Sequence, residues 1–283
     1  MRRRFQQVDV FATTPLLGNP VAVIIDAEGM AIEQMQAIAR WTNLSETTFL
    51  LPPESSEADY RVRIFSLVGE LPFAGHPTLG SCHAWLTAGG EPREPTTVVQ
   101  ECGTGLVPIR RTDTGLAFAA PALLRSGDVA EPFVDELAVV LGIERDEIVA
   151  AQWADNGPGW VAVLLKDADA VLEVEPDLSR YSGDQRLDIG LVGPYPPGSE
   201  CDVEVRALFT DGSGSLREDP VTGSLNASIA QWLLGSGHLT APYMASQGTR
   251  LGRAGRPRIE QDPDDTVWVG GATFTCIDGH IDA

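Results

Sequence analysis

Glu46 is the residue whose type and position best suit proton transfer in this chain of 283 residues. It lies in the stretch 43–50 (NLSETTFL), where the β-branched and aromatic residues that follow it favour the start of a strand. A carboxylate removed from water can act as a base and then as an acid within one turnover. The alternative is a helix cap, because Asn43 and Glu46 have the spacing of a capping box. The residues alone leave both roles open.

Two predicted helix starts form candidate anion sites. The first is residues 75–77 (GHP), where Pro77 suits the first helical position because it lacks a backbone donor. The second is residues 218–224 (EDPVTGS), where Gly223 would let a ligand approach the backbone and Ser224 supplies a hydroxyl. Unpaired N–H groups and the helix dipole favour negative charge at such starts. We expect them to face each other across a domain cleft and to hold a carboxylate-bearing substrate.

The polar residues of these two starts also have structural interpretations. His76 can satisfy backbone groups in a buried turn, and Asp219 can cap the second helix. Ser224 can be a small packing residue. The sequence does not choose between these roles and a role in catalysis.

An internal repeat indicates how the two starts are positioned. Residues 75–111 align without a gap on residues 222–258, at an offset of 147 residues. About two identities are expected by chance in that length. The observed identities are eight: Ser81/Ser228, Trp85/Trp232, Leu86/Leu233, Gly90/Gly237, Pro95/Pro242, Gln100/Gln247, Gly105/Gly252 and Arg111/Arg258. The repeat therefore predicts two homologous domains.

Each copy of the repeat begins with an apolar, β-branched run and continues into a segment of helical length. These segments, 78–88 and 222–234, contain no charged residue, so we expect helices that are buried all round and wrapped by a sheet. The predicted fold class is α+β, with a barrel-like mixed sheet around a central helix in each domain. The domains are predicted as 1–122 and 123–283, and the last strand could cross back to the first domain.

The flanking segments fit the same plan. Residues 20–25 and 47–51 are predicted as strands, and 32–42 as a helix with apolar residues on one face. A connection rich in Gly and Pro is expected near residues 121–132, followed by a surface helix at 133–141.

Composition and charge exclude several functional classes. The formal net charge of −20 would repel a phosphate backbone, so nucleic acid is not expected as a partner. The basic run Arg2–Arg4 is followed by polar residues, not by the apolar stretch of an export signal, and no apolar run is long enough to span a membrane. We therefore predict a cytoplasmic protein.

The distribution of cysteine and histidine predicts neither metal nor cofactor. The four cysteines are scattered, without a C-x-x-C pair, and buried reduced thiols are the default expectation. The four histidines form no metal-binding pattern, and no glycine-rich nucleotide motif is present.

Four blocks of the sequence together resemble the signature of the PhzF family of phenazine-biosynthesis isomerases. In chain order they are residues 18–23 (GNPVAV), 44–47 (LSET), 70–80 (ELPFAGHPTLG) and 218–224 (EDPVTGS). The resemblance implies a diaminopimelate-epimerase-like fold, a homodimer and a cofactor-independent isomerisation of dihydro-3-hydroxyanthranilate.

The resemblance also implies roles for individual residues. Glu46 would take a proton from carbon and return it elsewhere on the same substrate. His76, Asp219 and Ser224 would surround the substrate and assist. The residues expected to bind the substrate are Gly75 and Gly223, through backbone donors, with Ser45 and Thr222.

Departures from the family pattern leave the substrate open. Residues 65–70 (FSLVGE) lack the Thr-Pro that the family more often carries after the Phe, and residues 210–217 (TDGSGSLR) are unusually polar and rich in glycine. One alternative is a two-thiol epimerase or racemase on the same fold, since residues 102–105 (CGTG) resemble one of its motifs; Cys102, however, is predicted on a strand. Another alternative is a non-catalytic protein that binds an aromatic acid.

Overall fold

The computed structural model describes residues 1–181, 183, 186–211 and 214–283. Gly212 and Ser213, in the glycine-rich segment singled out above, lie outside the described residues. The chain forms two compact units. The first unit comprises Met1–Ala119 and Val269–Ala283, and the second comprises Ala120–Trp268.

The described residues form eighteen strands and five α-helices. In chain order they are β1 (Arg2–Val10), β2 (Asn19–Ile24), α1 (Ile32–Thr42), β3 (Glu46–Leu51), β4 (Tyr60–Ser66), β5 (Glu70–Leu71), α2 (Gly75–Thr87), β6 (Thr97–Cys102), β7 (Gly105–Thr112), β8 (Gly115–Ala119), β9 (Arg125–Asp128), α3 (Glu131–Leu141), β10 (Ile148–Asp155), β11 (Trp160–Leu165), α4 (Ala168–Glu173), β12 (Asp188–Pro194), β13 (Val203–Thr210), β14 (Leu216–Asp219), α5 (Gly223–Gly235), β15 (Tyr243–Gln247), β16 (Arg258–Gln261), β17 (Val267–Gly271) and β18 (Thr273–Asp282).

In the first unit, a mixed sheet surrounds α2. The helix packs against β1, β2, β3, β4, β6, β8 and β18. Its small residues make this possible, because a Cβ added at Gly80 would lie 2.3 Å from Cγ1 of Val21. The predicted uncharged central helix is present and is buried from Gly75 to Cys82, but its last turn is not buried all round, because Thr87 is exposed.

In the second unit, α5 is the corresponding buried helix and packs against β10 and β12. A Cβ added at Gly190 of β12 would lie 2.3 Å from Cδ1 of Leu225, so this glycine lets the helix approach the strand closely. The strand pairs β11–β12 and β13–β15 are parallel and β12–β13 is antiparallel, which makes the sheet mixed. The predicted α+β class is confirmed.

Each unit also has an apolar cluster against which a further helix packs. In the first unit, α1 packs on a cluster that includes Phe49 and Phe65, whose rings meet edge to face at 5.5 Å. In the second unit, α3 packs on a cluster built from β11, β12 and α4. The 3.6-residue periodicity of both helices supplies these apolar faces.

Several sequence-based boundaries differ from the structure. The helix predicted at 78–88 begins three residues earlier, at Gly75, so Pro77 occupies the third helical position. Proline is tolerated there because no N–H of the first turn has an intrahelical partner. The expected connection at 121–132 contains the strand β9, which pairs with β10. Tertiary pairing of this kind overrides weak local signals.

The end of the chain belongs to the first unit, because β18 pairs with β1 along its whole length, from Arg2 opposite Asp282 to Val10 opposite Thr273. All four cysteines are free thiols. The expectation that all are buried is wrong for Cys102 and Cys276, which are only half-buried.

Candidate active site

Glu46 is the first residue of β3 and directly follows the turn that ends α1. The turn is made by Asn43, which caps the C-terminus of α1 in a left-handed conformation with φ of 55°. Asn43 therefore does not cap the start of a helix, and the capping-box interpretation of Glu46 is wrong. Ser45 is exposed in the same turn. Glu46 pairs across the sheet with Ser66 of β4.

The structure brings His76 to Glu46. His76 is the second residue of α2 and directly follows Gly75, and both are buried. Its Nε2 atom lies 3.4 Å from Oε2 of Glu46, whose side chain is 17% exposed. On the other side of the ring, Nδ1 lies 3.4 Å from Nδ2 of Asn19, within the GNP block. Three of the four blocks identified in the sequence thus meet at the imidazole of His76.

The imidazole of His76 is neutral at physiological pH. Burial lowers its pKa to about 3, and a hydrogen bond with the backbone of Pro20 opposes this shift only in part. The Glu46–His76 contact has the separation of an ion pair, but burial of the ring dominates. It is therefore a contact between a carboxylate and a neutral ring.

A dependence of stability on pH follows from this buried histidine. Because the pKa of His76 falls from 6.5 to about 3 on folding, the unfolded chain binds the extra proton within that window. We expect the contribution of the neutral His76 to the free energy of unfolding to be complete above pH 6.5. This contribution should be lost as pH falls toward 3, by up to about 1.4 kcal/mol per pH unit. Denaturant unfolding of wild type and His76→Gln between these pH values measures how the free energy of unfolding changes with pH in each protein.

The exposed His280 provides the control for this measurement. His280→Gln shows how far the loss of an exposed imidazole by itself changes the pH dependence of unfolding. Equal slopes for wild type and His76→Gln would show that His76 is protonated in the folded protein.

A buried polar network supports the start of α2. Nε2 of Gln100 donates to the hydroxyl of Thr78 at 3.0 Å, and the hydroxyl of Tyr60 donates to Oε1 of Gln100 at 2.8 Å. Ser81 donates to the hydroxyl of Thr48 at 2.9 Å, which links α2 to β3. These bonds join the strand that begins at Glu46 to the helix that carries His76.

In the second unit, Asp219 ends β14 and Thr222 is the residue before α5. The hydroxyl of Thr222 donates to Oδ2 of Asp219 at 2.5 Å. The side chain of Asp219 is not the N-cap, because Thr222 holds that position. Gly223 is the first helical residue and is buried.

Ser224 is held by two residues that the sequence analysis did not single out. The indole N–H of Trp160 donates to Oγ of Ser224 at 3.2 Å, and Nδ2 of Asn156 donates to its carbonyl oxygen at 2.8 Å. An indole N–H is a donor only, so the hydroxyl proton of Ser224 must point elsewhere. Both partners lie more than sixty residues upstream, and no local pattern links them to Ser224.

Within the described residues, no three His, Cys, Asp or Glu side chains come together in a way that would hold a metal ion. The same part of the chain has no helix whose length and apolar character would let it cross a bilayer.

The family model for phenazine biosynthesis-like (PhzC-PhzF) proteins matches residues 8–279 of the chain. The chain belongs to this family. Antisense-enhancing sequence 1 of Schizosaccharomyces pombe is 33% identical, with 97% of each chain covered. The trans-2,3-dihydro-3-hydroxyanthranilate isomerase of Pseudomonas aeruginosa is 32% identical over 89% of this chain and 88% of its own.

Solved structures agree with the fold of this PhzF-family chain. A phenazine biosynthesis protein of the PhzF family from Bacillus anthracis has a TM-score of 0.83 at 22% identity, with complete coverage of both chains. A hydroxyproline epimerase from Agrobacterium vitis has a TM-score of 0.57 at 16% identity, covering 99% of this chain and 91% of that one. The predicted epimerase-like fold is confirmed.

Family membership and the names of the relatives also give the class of activity. The relatives include several proteins named isomerases, from Mesorhizobium japonicum as well as from Pseudomonas. This PhzF-family chain is an enzyme of the isomerase class, as the sequence predicted.

Proposed function

We propose that the chain is a cofactor-independent isomerase that moves a proton within a small cyclic amino or hydroxy acid resembling trans-2,3-dihydro-3-hydroxyanthranilate. Glu46 is the acid–base residue. The observation that carries the proposal is the 3.4 Å contact between a largely buried carboxylate and a buried imidazole at the start of α2. The substrate class comes from the names of relatives that are 32–34% identical.

The proposed reaction balances without an external reagent. The carboxylate of Glu46 takes a proton from a substrate C–H group, and the electron pair of that bond moves into the adjacent π system. The Glu46 O–H bond then breaks, and the proton goes to another carbon of the same molecule. A neutral His76 leaves the carboxylate without the opposing charge of an imidazolium, which would weaken it as a base.

The remaining site residues receive proposed roles in binding. Gly75 and Gly223 present backbone N–H groups at the first helical positions, which suit the carboxylate of the substrate. Asp219 and Ser224 assist with the amine and with tautomerisation. Ser45 and Thr222, which precede Glu46 and Gly223 in the chain, contact the substrate as well.

A homodimer, which the resemblance to the family implies, and the cytoplasmic location predicted from the sequence also belong to the proposal. Light scattering during gel filtration would measure the mass of the assembly, for which a dimer of the 30.3 kDa chain is expected.

Proton exchange with solvent tests the proposed activity. The protein is incubated in D₂O with trans-2,3-dihydro-3-hydroxyanthranilate and with a panel of cyclic amino acids and hydroxyanthranilates. Mass spectrometry and NMR then follow formation of an isomer and incorporation of deuterium at carbon. We expect both with at least one compound. Binding without exchange or isomerisation across the panel would favour the non-catalytic binding protein.

The cysteine-dependent epimerase is the second candidate, and the positions of the thiols oppose it. Cys102 ends β6 and does not lie at a helix start, where a reactive thiolate is stabilised. Cys82 is within α2, but burial raises the pKa of its thiol to about 12. We expect Cys102→Ala to keep turnover within about twofold of wild type. Loss of activity in Cys102→Ala, or after alkylation of the half-buried thiols, would revive this candidate.

A further inference from the structure

Gln247, the last residue of β15, is completely buried, and both ends of its side-chain amide are engaged at the start of α5. Oε1 accepts from the backbone N–H of Thr222 at 3.0 Å and from Nδ2 of Asn226 at 2.7 Å. Nε2 donates to the carbonyl oxygen of Asp219 at 3.2 Å and to the hydroxyl of Thr222 at 3.0 Å. One buried side chain therefore binds two backbone groups, at Asp219 and Thr222, and two side chains at the start of α5.

The orientation of this amide is fixed by its backbone partners. A backbone N–H can only donate and a backbone carbonyl can only accept, so Oε1 must face Thr222 and Nε2 must face Asp219. An amide turned by 180° would place donor against donor and acceptor against acceptor.

The fixed amide also determines the direction of the next hydrogen bond. Because Nε2 of Gln247 donates to the hydroxyl oxygen of Thr222, the proton of that hydroxyl points away, toward Oδ2 of Asp219 at 2.5 Å. The two hydrogen bonds therefore run in a single direction, in which Gln247 donates to Thr222 and Thr222 donates to Asp219. A carboxylate at position 247 could not begin it, since an ionised Glu donates nothing.

We propose that Gln247 is a positioning residue for catalysis, which acts through the Thr222 hydroxyl to hold the Asp219 carboxylate in its working orientation. The inference rests on the proposed function, because it takes Asp219 as a residue that touches the substrate. Gln247 itself contacts no substrate.

The internal repeat gives independent support. Gln100 is the counterpart of Gln247 at the offset of 147 residues, and its Nε2 donates to the hydroxyl of Thr78, the fourth residue of α2, at 3.0 Å. Both copies therefore use the repeated glutamine to donate to a threonine near the start of the central helix, although the two threonines do not occupy equivalent positions in the repeat.

Kinetics of substituted proteins test the proposal. Gln247→Glu keeps the shape of the side chain and removes the donor, and we expect a fall in kcat of about 10²-fold with KM within about threefold. Thr222→Val, which interrupts the chain one bond later, should have a similar effect. Thr222→Ser restores the hydroxyl and should recover most of kcat. Gln231→Glu in α5, which removes the donor to the Pro121 carbonyl at 3.0 Å, is the matched control.

The decisive comparison uses Asp219→Asn as background. If Gln247 acts through Asp219, Gln247→Glu should lower the residual turnover of Asp219→Asn by no more than about threefold. Multiplicative losses in the double variant would overturn the inference and leave the proposed function intact. Full activity of Asp219→Asn would instead remove the role of Asp219 on which the inference rests.

Crystal structures of the Thr222 variants test the proposal without a measurement of turnover. They also do not require that Gln247→Glu folds. In Thr222→Val, the Asp219 carboxylate should leave the position that it has in wild type, whereas in Thr222→Ser it should retain it. A carboxylate that stays unmoved in Thr222→Val would contradict the proposed positioning.

Discussion

Replacement of Glu46 by Gln should lower kcat by about 10²–10⁴-fold, the usual contribution of a general acid–base residue. The amide has nearly the shape of the carboxylate but cannot accept a proton from carbon. Because the substrate is held mainly by other groups, its affinity should change by no more than a small factor. Steady-state kinetics with trans-2,3-dihydro-3-hydroxyanthranilate give kcat, and titration calorimetry with 3-hydroxyanthranilate as an unreactive analogue gives the affinity.

Glu33→Gln provides the control for Glu46→Gln. Glu33 is exposed in the first turn of α1, in the same unit, so the same chemical change there should leave kcat within about twofold of wild type. Unchanged turnover in Glu46→Gln would eliminate the proposed mechanism. Loss of turnover together with loss of affinity would assign Glu46 to binding.

Arg206→Met should lower the free energy of unfolding by about 3–5 kcal/mol, because it leaves a largely buried carboxylate without its partner. Two guanidinium nitrogens of Arg206 donate to the two oxygens of Glu218, and the side chains are 4% and 11% exposed. Nη1 also donates to the carbonyl oxygens of Val171 and Val174, at the end of α4. Denaturant unfolding, followed by circular dichroism, measures the change in free energy.

A more exposed pair of similar geometry is the matched control. Arg63 also binds both oxygens of Glu70, but the side chains are 23% and 41% exposed. Arg63→Met should therefore cost no more than about 1 kcal/mol. The double variant Arg206→Met/Glu218→Leu should recover much of the loss, since it removes both charges. Equal costs for Arg206→Met and Arg63→Met would show that the buried pair contributes no more than the exposed one.

The block 218–224 shows how far a motif can be interpreted from the sequence alone. Side chains alternate along a strand, so adjacent residues of β14 point to opposite faces. Glu218 binds Arg206, whereas Asp219 accepts from Thr222 at the start of α5. The sequence presents the two acids as one motif, but the strand separates them into a structural ion pair and a candidate site residue.

The central helices were predictable because their signal is local. An uncharged segment of helical length, rich in small residues, can be satisfied only by burial on all sides. The start of α2 was predicted less well than that of α5, since the choice between Gly75 and Thr78 depends on whether the first turn has a partner in the surrounding structure.

The sequence by itself determined the family, the internal repeat, the buried helices and the acid at the start of β3, because composition, spacing and motif order are properties of short stretches of chain. Only the tertiary structure decided that Glu46 meets His76, that Trp160 and Asn156 hold Ser224, and that Gln247 connects to Asp219. These partners are separated by 28 to 68 residues. Contacts over such distances depend on the packing of helices against strands within each unit, and no local pattern specifies them.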